Sequence, residues 1–507
     1  MKRLLVLWDP ENPVTPVGPV LSALRATTEV SEVTFRDVAH RTLPNGAFEI
    51  GTLADPLKID GLLWIEGGPL PSDLDRLDCP KACWLPNIHQ EPTLLEDLGA
   101  LFDRCLVSTL DSSADERARW LPLAASGGRP PTPPEGVSIL LDDPKPPHHM
   151  MVERALQKAL GEMAPPARPI VFCLGQKGRA HPMLLDCLRS GAAVVVDPES
   201  DLRGMAHIGE HLEVFPSLEE LGRFTRGLAA DVPRLERLST RGPEIVEHLH
   251  SPELRAAQLR DAMWPRETVL GGAHFTPKVS ILVTCFRYLK RFRFCLESLA
   301  GQDMPPGSIE VVVADPESPD GLADHLVEYA KRNPHLRVVR LSLDPRYHRN
   351  RGVGINRAFD ASKGEVILSI DGDLIFPPGL VRVLVDQVLS APGHVYGVQR
   401  RFIPKEVTEQ ILSGGLDPFS KFEELSRSEG DGEQQPFVGV LGYCQTVHRK
   451  AFARARYPEE FDKVNQSDIV FVERLAARAG VSPQFLEDQE VLHLWHPRNW
   501  NGTNDFL

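Results

Sequence analysis

Short apolar runs alternate along most of the chain with stretches whose apolar positions recur at helical spacing, a pattern that predicts α/β architecture rather than an all-β sandwich. In the first segment RLLVLW (3–8), GLLWIE (61–66), KACWLP (81–86) and RCLVST (104–109) predict strands with helices between them, one small Rossmann-like unit. The stretch Gly127-Gly128-Arg129-Pro130-Pro131-Thr132-Pro133-Pro134 reads as a linker, because proline removes backbone donors and glycine adds freedom. A second unit runs from VSILLDD (137–143) through IVFCLG (170–175) and AAVVVD (192–197) into a long helical segment ending near Met263. Gly271-Gly272 and Pro277 mark the next boundary. Beyond it KVSILVTCF (278–286), EVVVAD (310–315), RVVRLSL (337–343) and EVILSID (365–371) predict a third run of strands. The expected organisation is three α/β units, at 1–130, 136–265 and 277–507, with no internal repeat of short period.

A chain of 507 residues agrees with that count, since domains run to roughly 100–200 residues each. Lys+Arg 56 against Asp+Glu 70 gives 56 − 70 = −14, which argues against nonspecific binding to nucleic acid or to an anionic membrane surface. No apolar run approaches the roughly 20 residues of a membrane span. Met1-Lys2-Arg3 leads into LLVLW, soon broken by Asp9, Pro10 and Pro13, so neither a transmembrane segment nor a secretory signal is expected. The expected location is the cytoplasm. The eight cysteines are scattered, several inside apolar runs, as core residues of a reducing compartment would be. Cys79 and Cys83 with His89 have poor spacing for zinc, and no second pair follows.

The most informative stretch is EVILSIDGDLIFPPG (365–379), in which an apolar strand delivers Asp371 and Asp373 to its C-terminal end, where ligands of open α/β sheets bind. Such a pair can hold a hard divalent cation through one carboxylate while the other reaches a ribose or a metal-bound water. An acidic turn is the alternative, because Asp-Gly is common in turns. An EF-hand is excluded by the missing later acids and by Pro377-Pro378.

Around this pair the segments VSILVTCFRYLKRFRFCLESLAGQ, EVVVADPESPD, HRNRGVGINRAFDASKGEVILSIDGD, GYCQTVHRKAF, NQSDIVFVERL and HLWHP follow in one order. In that order and spacing, residues 277 to about 498 resemble a family 2 glycosyltransferase of GT-A fold, with a mixed, mostly parallel sheet across whose C-terminal edge a nucleotide-sugar lies. The resemblance implies that Thr284 lies against the nucleotide and that Asp315 bonds the base. The family usually shows two adjacent acids at the latter point, where this chain has Ala314-Asp315. It further implies Asp371 at the ribose and Asp373 on Mn²⁺ or Mg²⁺ bridging the diphosphate, with a UDP-sugar as the expected donor. Asp468 would be the general base of an inverting transfer, although Ser467 stands where the family has Glu, and either residue can also serve as a helix cap. His493 would join the metal, with His496 as a second candidate ligand or a contact to phosphate; both can equally be structural. Arg346, His348, Arg349, Asn350 and Arg351 face either the diphosphate, an anionic acceptor or solvent, and Arg349 is the residue expected at the nucleotide-sugar. Residues 398–436, with Arg400, Arg401 and Gly414-Gly415, read as a flexible insert over the site.

The front half, through CPKACWLPNIHQE, HPMLLDCLRSGAAVVVDPESDLRGM and EHLHSPELRAAQL, resembles glycosyltransferases of the spore-maturation type, which implies a GT-B-like pair of lobes. Within it Gly175-Gln176-Lys177-Gly178-Arg179 is the candidate phosphate loop, contributing Lys177 and Arg179, and Asp186 the candidate ribose acid. Leu184 and Asp186 replace the family's expected Arg and Glu, and a plain turn before a core helix explains the loop as well. A degenerate, noncatalytic module for acceptor binding or assembly is therefore expected there.

The whole reading is a metal-dependent inverting hexosyl-type glycosyltransferase acting on a glycan, lipid-linked or peptide acceptor. The alternatives are a bifunctional transferase with an active GT-B half, and a noncatalytic nucleotide-sugar- or carbohydrate-binding protein.

Overall fold

The structure is a computed structural model that describes the chain outside residues 10–16, 39–47, 52–53, 55–56, 67–69, 86–91, 109–117, 122–123, 126–131, 133–134, 142–146, 162–164, 176–179, 182, 201, 203–204, 428–438, 460–466 and 498–507. Most of the proline linker and the His89 position lie outside the described residues. The chain divides into two compact units, Met1–Trp264 and Pro265–Leu507.

The first unit contains two separate parallel sheets. Strands β1 (Lys2–Trp8), β2 (Thr28–Thr34), β3 (Gly61–Ile65), β4 (Lys81–Leu85), β5 (Arg104–Val107) and β6 (Ala118–Trp120) form one, in the order β2-β1-β3-β4-β5-β6. Strands β7 (Val137–Leu141), β8 (Ile170–Leu174), β9 (Ala193–Val196) and β10 (Glu213–Val214) form the other, in the order β10-β9-β8-β7. Side chains alternate between sheet faces with period two. Leu5 and Leu7 thus enter one core and Leu4 and Val6 another. The second of these cores is closed by the helix Pro252–Met263, whose Ala256, Leu259 and Met263 pack with Leu4, Val6 and the helix Val17–Leu24. The last helix of the first unit therefore covers the first sheet, although in sequence it follows the second.

The second unit is built on one nine-stranded mixed sheet. Its strands are β11 (Glu267–Gly271), β12 (Val279–Thr284), β13 (Ile309–Asp315), β14 (Arg337–Ser342), β15 (Val366–Ile370), β16 (Leu374–Ile375), β17 (His394–Phe402), β18 (Cys444–His448) and β19 (Ser482–His493). The order is β11-β14-β13-β12-β15-β18-β17-β19-β16. Strands β14, β13, β12 and β15 run parallel, and β11 and β18 flank them antiparallel. Every residue of β13 and β15 is buried, as a parallel strand covered by helices on both faces requires.

The chain leaves β12 toward β13 and β14 and later returns to β15 on its other side. That reversal makes the carboxyl ends of β12 and β15 a topological switch point, the usual ligand position in open α/β sheets. At the opposite end, Glu310 and Arg337 form a fully buried ion pair that also takes Ser280 Oγ.

Two segments differ from the expected layout. Residues 266–276, read as a boundary, contain the edge strand β11, which pairs with β14 and lies in the second unit. The span 398–436 begins as the end of β17 and continues as the helices Lys405–Leu412 and Phe422–Ser426; its part from 428 onward lies outside the described residues.

Candidate active site

Asp373 lies in the turn that follows β15, immediately before β16, and is 3% exposed. β16 pairs with the end of β19, with Leu374 opposite His493. That register brings His493 to the acid: its Nε2 is 3.2 Å from Asp373 Oδ2, and Nε2 of His496 is 3.3 Å from the same oxygen. One potential ligand atom from each of Asp373, His493 and His496 lies within 4.8 Å of the others. Tyr288 donates its hydroxyl to Asp373 Oδ2 at 2.6 Å. Burial works to raise the Asp373 pKa, but His493, His496 and the Tyr288 hydroxyl outweigh it, and the carboxyl is held well below the usual range. Burial holds His496 below the ordinary imidazole value, which favours the neutral ring with a lone pair to offer. Asp373 Oδ1 and His493 Nδ1 are both buried with no hydrogen-bond partner among the described residues. One carboxylate and two imidazoles form a mixed O/N donor set suited to a divalent first-row metal, and an orphaned carboxylate oxygen inside it accords with that use.

Asp371, half-buried at the end of β15, receives Nη1 of Arg351, which heads the helix Arg351–Ala361. Arg351 Nη2 also donates to the Gly442 carbonyl at 2.5 Å. Burial alone lowers the pKa of this guanidinium; Asp371, Tyr457 and Asp468 outweigh it and keep Arg351 charged. Gly442 in turn donates its N–H to Asp468 Oδ2 at 2.7 Å. A Cβ at Gly442 would lie 2.6 Å from the Asp468 Cβ, so the approach of the two segments depends on glycine. Asp468 sits in the first turn of the helix Ser467–Ala479. The two acids Asp371 and Asp468 are thus linked through Arg351 and Gly442.

The remaining candidates divide. Thr284 ends β12, and a side chain at Gly354 would collide with its methyl group, so the helix Arg351–Ala361 packs closely over it. Asp315 ends β13 fully buried, with Oδ1 accepting from Ser318 N at 2.7 Å and Oδ2 from Arg340 Nε at 2.8 Å. Arg349 is exposed at the end of the 3₁₀ turn Pro345–Arg349 and makes no hydrogen bond or ion pair among the described residues; its neighbour Arg351 enters the site instead. In the first unit Asp186 is buried on the six-residue helix Leu184–Arg189, 3.3 Å from Arg189, while Lys177 and Arg179 lie outside the described residues. Tyr288 carries no signal in the sequence, since its bond to Asp373 spans 85 residues.

An α/β sheet with acids at its carboxyl edge and histidines brought to one of them defines the class of site. The family model for glycosyl transferase family 2 matches residues 280–454, within the C-terminal unit. The chain is similar to a poly(ribitol-phosphate) beta-glucosyltransferase of Bacillus spizizenii, with 30% identity over 138 residues, 26% of this chain and 21% of that protein. It is also similar to an N-acetylglucosaminyltransferase of Rhizobium leguminosarum, with 28% identity over 185 residues, 34% of this chain and 39% of that protein. The chain therefore spans well under half the length of either relative. Among solved structures, it is similar to a mannosyltransferase of Pyrobaculum calidifontis in complex with GDP-Man and Mn²⁺, with TM-score 0.33 and 17% identity over 45% of this chain and 60% of that one.

Proposed function

We propose that this protein is a metal-dependent inverting glycosyltransferase that moves a sugar from a nucleoside-diphosphate sugar, a UDP-sugar in the first instance, to an acceptor hydroxyl. The observation that carries the reading is the convergence of Asp373, His493 and His496 at the carboxyl edge of the sheet, beside the linked pair Asp371 and Asp468. The relatives named as glycosyltransferases support the same class of reaction.

In this reading Asp373, His493 and His496 would hold Mn²⁺ or Mg²⁺, which supplies Lewis-acid neutralisation of the charge on the departing nucleoside diphosphate. Tyr288 orients the Asp373 carboxylate by its hydrogen bond. Asp371, fixed by Arg351, reaches the ribose, and Thr284 lies against the nucleotide. Asp315 contributes to the base pocket together with Arg340, because its carboxylate is shared with that guanidinium. Asp468 takes the proton from the attacking acceptor hydroxyl, with the Gly442 N–H fixing which oxygen remains for that task. Arg349, being exposed, is assigned only the outer part of the donor site. Residues 1–264 are assigned acceptor binding or assembly rather than chemistry.

The test is a screen of nucleotide-sugars with the full chain and Mn²⁺, reading release of nucleoside diphosphate. Release from at least one donor, abolished by chelation and restored by the metal, is expected. Absence of both release and nucleotide binding across the screen would overturn the reading.

A further inference from the structure

Arg400, on β17, is a half-buried cation that the proposed chemistry leaves unused. Its guanidinium carbon lies 4.4 Å from the centre of the Phe402 ring and 4.5 Å from that of Tyr443. Among the described residues it makes no hydrogen bond and no ion pair. The adjacent Arg401 faces Glu490 at 3.5 Å, and Arg351 is spent on Asp371. The two rings tie Arg400 to both halves of the site. Phe402 lies 4.8 Å, centre to centre, from the His493 ring. The Tyr443 carbonyl accepts from Asp371 N at 3.1 Å, and Tyr443 directly follows Gly442, the residue bonded to Asp468.

Aromatic faces attract a guanidinium and hold its plane, but they leave its in-plane N–H donors unspent. A fork fixed in this way loses little freedom on binding, and the ligand it matches in two parallel bonds is an oxyanion. A half-buried cation beside a site that handles diphosphates, with donors to spare, is the arrangement such a ligand needs.

We propose that Arg400 is a phosphate-binding residue of this site, an inference that rests on the nucleotide-sugar reading above. The phosphate belongs either to the donor's diphosphate or to a phosphate group carried by the acceptor, and the measurement separates the two. The full chain with Mn²⁺ is titrated calorimetrically with uridine, with UDP and, once loaded with UDP, with inorganic phosphate; Arg400→Met and Arg400→Lys are treated alike.

If the donor is the source, Arg400→Met weakens UDP by about tenfold or more while uridine is unchanged. If the acceptor is the source, UDP is unchanged and phosphate binding to the loaded protein weakens by a similar factor. In both cases Arg400→Lys recovers only part, because an ammonium lacks the fork. UDP and phosphate affinities of Arg400→Met both within about twofold of the parent would overturn the inference. So would an equal loss of uridine affinity, which would mark Arg400 as a packing residue. A parent protein that binds neither UDP nor GDP with Mn²⁺ sinks the nucleotide-sugar reading itself, and this inference with it.

Discussion

Asp373 and Asp468, far apart in sequence, are assigned different work, and single substitutions separate them. Asp373→Ala removes the shared oxygen that both His493 and His496 face, so Mn²⁺ binding, read by electron paramagnetic resonance, is expected to be lost together with transfer, the latter by on the order of 10²–10³-fold. Unchanged turnover in that variant would remove the metal from the mechanism. Asp468→Asn keeps an acceptor oxygen for the Gly442 N–H but cannot take a proton. UDP affinity should therefore survive while transfer falls by about 10²–10⁴-fold, and an equal loss of both would make Asp468 structural. At this scale the sequence is informative where chemistry and adjacency coincide, as in Asp371-Gly372-Asp373 and His493-Leu494-Trp495-His496. It is silent where function comes from contact alone. Nothing local to Tyr288 or Arg400 announces their partners, and Arg349 and Arg351 are indistinguishable until the helix Arg351–Ala361 turns one of them toward Asp371.

Strands that are buried on both faces write themselves as unbroken apolar runs, which is why β12, β13 and β15 are legible from VSILVT, IEVVVAD and VILSI. Strands paired on one side over most of their length carry no such mark. β11 has an exposed or half-exposed side chain at every position, and most of β19, SPQFLEDQE, is polar and held by its parallel pairing to β17 across a register shift. β19 nevertheless delivers His493, so the least legible strand supplies a central residue. The joint between elements matters as much as the elements. Gly442→Ala would drive a methyl group into Asp468 and shift the first turn of the helix Ser467–Ala479. Displacement of a reacting group by about 1 Å can cost on the order of 100-fold in rate, so turnover should drop steeply with UDP affinity preserved. Turnover equal to the parent's would show that the Gly442 contact does not position Asp468.

Over the whole chain, every residue assigned a chemical role falls within 265–507, a unit with its own sheet and its own hydrophobic core. Most of the net charge of −14 lies in residues 1–264, and only a few carboxylates at strand ends of the second unit bear on the proposed reaction. If the second unit is self-sufficient, a fragment of residues 265–507 should bind UDP with Mn²⁺ within about threefold of the full chain, while residues 1–264 should release no nucleoside diphosphate from any donor. The starting point of the fragment matters: beginning at 277 removes β11 and leaves the edge of β14 unpaired, an invitation to aggregate, so that shorter piece should melt earlier or self-associate. Comparison of the three pieces by calorimetry and product release separates two possibilities for the front half. A fragment 265–507 that binds UDP but transfers only in the presence of residues 1–264 would assign the front half to the acceptor, whereas donor hydrolysis by residues 1–264 alone would make it a second active transferase and overturn the noncatalytic reading.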